Sequence, residues 1–115
     1  MNVKQFIHHH DNVCIFRADC VASPMFRIVE YLQDKGLDCR RRMGTQTNNI
    51  FYIFVDNKKR YMLSLRHHWR RKYSITLRSE VLRRLMYKRA FDLKEIKEVN
   101  EKLLFTINNF IEDEI

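Results

Sequence analysis

With two glycines, one proline and three cysteines among 115 residues, the chain has little that bends, breaks or staples a backbone. That scarcity argues against long disordered linkers and for one packed domain over residues 1–115, long enough for a core without disulfide or metal staples. Nowhere is there a run of about 18 apolar residues, which argues against a transmembrane helix. The opening Met1-Asn2-Val3-Lys4-Gln5-Phe6-Ile7 lacks the apolar stretch of a secretory signal. Cys14, Cys20 and Cys39 are odd in number and show no C-x-x-C spacing. They read as reduced thiols of a cytoplasmic protein, packed as small hydrophobes. His8-His9-His10 beside Asp11 invites a metal reading, but three consecutive side chains cannot face one ion from a regular strand or helix. No metal and no cofactor is predicted.

Acidic residues are also missing where they would matter most. Residues 40–89 hold 15 Lys/Arg and only 2 Asp/Glu, a local charge of +13. Residues 1–39 carry −1 and residues 90–115 carry −4, which together make the net charge of +8. Two carboxylates cannot neutralise fifteen cations, and the cations are interleaved with hydrophobes, so they belong to a folded basic face. Such a face points to a polyanion, because cations that replace the counterions of phosphates release those ions to solution. The same shortage of carboxylates argues against a metal-dependent nuclease.

What the middle of the chain does contain is a meander. Ile50 to Val55 is continuously apolar, which predicts a strand covered on both faces. Asp56-Asn57 marks a turn, since both residue types tolerate positive φ. Tyr61, Leu63 and Leu65 then alternate with Met62, Ser64 and Arg66. Tyr73, Ile75 and Leu77 alternate with Ser74, Thr76 and Arg78. Clean alternation predicts one packed face and one wet face, the wet one bearing hydroxyls and guanidinium groups suited to phosphate oxygens.

Around the meander, residues 12–21 read as a further strand. Ser23-Pro24 opens a helix to about Lys35, with Ser23 as N-cap, Met25, Ile28, Val29 and Leu32 on one stripe and Gly36 as terminator. Leu37 to Asn49 reads as a polar connector. Val81, Leu82, Leu85 and Met86 predict the buried stripe of a helix over about residues 79–90, with Arg83, Arg84, Lys88 and Arg89 on its cationic side. A last, acidic helix runs from Leu93 to about Glu112, capped by Asp92, its stripe formed by Ile96, Val99, Leu103, Ile107 and Phe110. The predicted fold class is α+β: a mostly antiparallel sheet made of a strand, a helix, a three-stranded meander and two C-terminal helices.

The function these features predict is non-catalytic nucleic-acid binding, DNA ahead of RNA, in the setting of a small transcription regulator or repressor of a mobile element. Arg40, Arg41, Arg42, Lys58, Lys59, Arg60, Arg70, Arg71, Lys72, Arg83, Arg84, Lys88 and Arg89 are the candidates for phosphate contact. Gln46, Asn48, Asn49 and Trp69 are the candidates for base contact, the amides by pairing with adenine and the indole by stacking. A homodimer would use the last helix and read a two-fold site. The alternative is a small inhibitor whose basic face docks on the acidic, nucleic-acid-binding groove of a partner protein. A third reading, a nuclease, would rest on His67, His68 and Glu80. No membrane partner is predicted.

Overall fold

The computed structural model describes residues 22–43 and 49–114. The predicted strand over residues 12–21, the histidine triplet, Cys14 and Cys20 lie outside them. Helix α1 (Ala22–Asp34) is followed by five strands, β1 (Asp38–Arg41), β2 (Ile50–Val55), β3 (Lys58–Trp69), β4 (Lys72–Ser79) and β5 (Arg84–Asp92). A 3₁₀ turn (Leu93–Glu95) then leads into α2 (Ile96–Glu114). The strands form one sheet in the order β1-β2-β3-β4-β5, each pair antiparallel. This is the predicted α+β class, with a longer meander and one helix fewer at the C-terminus.

Each element follows from local chemistry. α1 ends in a Schellman arrangement: Gly36, at φ 93°, donates to Gln33 O, and Leu37 N donates to Leu32 O. The helix begins at Ala22, so Ser23 lies inside its first turn and is not the expected N-cap. Pro24 still sits where a missing N–H is tolerated. Asp56 and Asn57 both adopt positive φ, giving the two-residue turn between β2 and β3. Asp92 caps the C-terminal helical segment as predicted: its carboxylate accepts from Lys94 N while Glu95 Oε1 accepts from Asp92 N.

The core lies between one face of the sheet and the two helices. Met25, Ile28, Val29 and Leu32 of α1 and Val99, Leu103 and Ile107 of α2 are all fully buried. They meet Phe51, Ile53, Tyr61, Leu63, Leu65, Tyr73, Ile75, Leu77 and Phe91 from alternate strand positions. Phe26 meets Phe51 edge-on at 5.3 Å, and Tyr61 meets Phe110 at 5.8 Å, tying one helix to β2 and the other to β3. The predicted stripe of the last helix is therefore spent on its own sheet, and a dimer through this helix would have to use its outer surface, where Phe105 is exposed.

Three further expectations are corrected. The segment 79–90 is not a helix: it is a turn followed by β5, which pairs with β4 from Lys72↔Asp92 to Ser79↔Arg84. Ser79 Oγ accepts from Leu82 N at 3.0 Å, and Arg83 takes φ 54°, which closes the turn. Val81, Leu82 and Leu85 are consequently 51%, 48% and 55% exposed instead of forming a buried stripe. The polar connector after α1 contains a short strand, β1, in which only Cys39 is buried. Finally, β2 is not covered on both faces. Phe51 and Ile53 are buried, whereas Tyr52 and Phe54 are half-buried on the other side. Cations shield those two rings: Lys59 Nζ lies 4.0 Å from the Tyr52 centroid and Arg40 Cζ lies 4.0 Å from that of Phe54.

Candidate functional site

The second face of the sheet carries neither α1 nor α2. Its residues follow from alternation and register. Arg40, Tyr52, Met62, Arg78 and Leu85 form one row across the strands. Ile50, Ser64, Thr76 and Lys88 form the next, and Arg66, Ser74 and Ala90 the one after. The last two rows line a shallow concavity of ≈ 630 Å³, to which Asn49 and His68 also contribute. Its floor is hydroxylic: Ser64 and Thr76 hydrogen-bond across the strand pair, and Ser74 Oγ shares a 2.8 Å hydrogen bond with His68 Nε2. Arg66 and Lys88 rise beside this floor, and neither has an ion-pair partner among the described residues.

A bulge shapes one end of the site. His67 pairs with Tyr73 and Trp69 with Lys72, so His68 is an extra residue on β3. His67 turns toward Tyr73, ring centroids 5.0 Å apart, and its Nε2 donates to Arg70 O at 2.6 Å. Trp69 is 64% exposed, with Arg70 Cζ 4.3 Å from its ring. Arg70 itself sits at φ 50°, a left-handed conformation costing a side-chain-bearing residue about 1–2 kcal/mol. An arginine is thus held in a turn where glycine would be less strained.

Of the predicted phosphate contacts, Lys59, Lys88, Arg40 and Lys72 reach the open face, with different freedom. Arg40 is clamped by both oxygens of Asp38 and by Asn57 Oδ1. That hydrogen bond holds the Asp38 carboxyl below its ordinary range. Lys72 pairs with Asp92 at 3.1 Å. The Asp92 carboxyl is lowered first by the Lys94 backbone N–H and then by Lys72. Arg70 and Arg71 are exposed at the β3–β4 turn, and Lys58, Arg83 and Arg84 are exposed at the opposite end of the sheet. Arg41 and Arg42 are exposed at the end of β1, while Arg60 is half-buried at a second bulge in β3.

Arg89 does not join them. It falls on the helix-covered side between Tyr87 and Phe91, where it bridges Glu95 at 2.8 Å and Glu98 at 3.1 Å. Among the base-contact candidates, Asn49 lines the concavity, half-buried, and its Oδ1 has no hydrogen-bond partner among the described residues. Gln46 and Asn48 lie outside the described residues. Arg66, Arg78, Ser64, Ser74, Thr76 and His68 are not among the predicted contacts, although the alternation of β3 and β4 already assigns most of them to the wet face.

His67, His68 and Glu80 are not brought together. The two histidines turn to different sides of β3, and Glu80 follows Ser79, six register steps along β4 from Tyr73. No group of three or more His, Cys, Asp or Glu is placed to hold a metal among the described residues. Burial, reinforced by Asp38, pushes the Cys39 thiol up to about 12, so it stays protonated near neutral pH. No helix among the described residues is long and apolar enough to cross a membrane. No family model, curated protein or solved structure matches the chain.

Proposed function

We propose that this protein binds nucleic acid without catalysis, through the open face of its sheet. The observation that carries the reading is the pair Arg66 and Lys88, cations without an ion-pair partner among the described residues, beside a hydroxylic concavity on a face that neither described helix covers. Guanidinium and ammonium groups neutralise phosphates, and Ser and Thr hydroxyls donate to phosphate oxygens. Around them the exposed Lys59, Arg70, Arg71, Arg78, Arg83 and Arg84 extend the positive field to both ends of the sheet. The polymer is proposed to be DNA ahead of RNA, and regulation of transcription is a fitting role for a domain of this size.

The competing proposal, a basic inhibitor that docks on an acidic groove of another protein, uses the same cations. Salt weakens both, so salt alone does not separate them. Direct binding by the purified protein does. Anisotropy of labelled single-stranded DNA, duplex DNA and duplex RNA, titrated at low and moderate salt, is expected to show saturable binding that weakens steeply with salt. A flat response for every polymer at low salt would rule out the nucleic-acid reading and turn attention to an acidic protein.

A further inference from the structure

We propose that the nucleic acid held on this face is an unpaired strand, with bases stacked on Tyr52 and Trp69 and phosphates passing over the concavity between them. This rests on the nucleic-acid reading above. Two observations carry it further. The first is the loss of a groove-reading element. The cationic segment 79–90 is a turn and an edge strand, α1 is packed under the sheet, and α2 carries Glu98 and Glu101 on its exposed side. No basic helix remains among the described residues to enter a major groove.

The second is the position and covering of the aromatic rings. Tyr52 pairs with Met62, and Trp69 lies seven residues further along β3, a span of roughly 20 Å. Between them on β3 come Ser64, Arg66 and His68, the wall of the concavity. Trp69 pairs with Lys72, an open-face position. A cation lies over each ring, Lys59 on Tyr52 and Arg70 on Trp69, and neither cation has an ion-pair partner among the described residues. Such a cation can swing from the ring to a phosphate as a base takes its place. Phe54 differs, because its covering Arg40 is fixed by Asp38 and Asn57. A duplex hides its base faces in its own stack and would leave both rings without a partner, whereas an unpaired strand offers a π-face at every nucleotide.

The test compares a labelled 12-nucleotide random DNA strand, the same strand as RNA, and a 12-base-pair duplex, by anisotropy at low salt. The proteins are wild type, Tyr52→Leu, Trp69→Leu, Tyr52→Phe and Trp69→Phe. Wild type is expected to bind the single strands more tightly than the duplex, with Trp69 fluorescence quenched by them. Each leucine variant should lose roughly 5- to 150-fold in single-strand affinity, and each phenylalanine variant should retain most of it. Far-UV circular dichroism identifies a variant that fails to fold, and the phenylalanine pair, which keeps a ring, then decides between stacking and mere packing. If the duplex binds as tightly, or leucine at both positions leaves single-strand affinity unchanged, the stacking proposal is wrong while phosphate binding by the open face stands. If no polymer binds, the underlying nucleic-acid reading fails as well. The RNA and DNA arms report which backbone the site prefers.

Discussion

Leu63, Ile75 and Leu77 are fully buried beneath two helices, while their immediate neighbours Ser64, Thr76 and Arg78 face the other way on the same strands. One face is sealed by apolar area, and the cation that enters it, Arg89, is held in place by two carboxylates of the C-terminal helical segment. The opposite face gathers Arg66 and Lys88 with no acid among the described residues to meet them. A sheet interior excludes unpaired charge because desolvation costs more than packing returns. Among the described residues, unpaired cations therefore collect on the face that neither helix covers, where the proposed polyanion would be met.

The contrast can be broken from either side. Leu63→Ala on the covered face should cost about 2–5 kcal/mol in chemical denaturation, the usual range for emptying a packed core site. At temperatures where the variant stays folded, its affinity for nucleic acid should be unchanged. On the open face, Arg66→Gln with Lys88→Gln should leave stability within about 0.5 kcal/mol. The same pair should lower the slope of log affinity against log salt by about two, one for each phosphate no longer neutralised. Arg70→Gly relieves a left-handed arginine and should raise stability by less than about 1 kcal/mol, because the added unfolded-state entropy of glycine offsets part of the relief. Its binding should weaken, which would identify the strained turn as serving the ligand and not the fold.

The smallest effect concerns acid. The Glu95 carboxyl is lowered first by the hydrogen bond from Asp92 N and then by Arg89, and Asp92 is lowered by Lys94 N and Lys72. Groups depressed in the folded state stabilise it fully above their ordinary values, near 4, and lose that contribution as pH falls through the folded value. Thermal melts from pH 7 to pH 3 should show a declining acid limb, shallower in Arg89→Gln. An acid limb equally steep in that variant would mean that Arg89 contributes nothing to the depression.

Much of this fold is legible in the sequence. Tyr61 to Arg66 and Tyr73 to Arg78 alternate without fault, and the structure buries the residues so assigned. The stripes of both helices, the Gly36 terminator and the Asp92 cap follow from spacing and residue type alone. β5 is the exception. Val81, Leu82, Leu85 and Met86 recur at helical spacing, while the true inward set, Tyr87, Arg89 and Phe91, has a charge in its middle and is shifted by a bulge at Met86. An inward arginine becomes intelligible only once Glu95 and Glu98 arrive from a later element. β1 is silent in the sequence because a strand with one buried residue shows no alternation. Arg66 and Arg78 stand apart from the clustered cations that dominate the sequence, whereas the open face collects single cations from neighbouring strands.

The most direct test of a specific open-face site holds the charge loss constant and moves its position. Anisotropy with a labelled single strand at low salt should compare Arg66→Gln/Lys88→Gln with Lys94→Gln/Lys97→Gln, two exposed lysines on the C-terminal helical segment. Both double variants lose two positive charges. A large loss of affinity for the open-face pair, with near-wild-type binding for the helix pair, is the predicted result. Equal losses would mean that the polymer feels only net charge, and that the open face is no binding site.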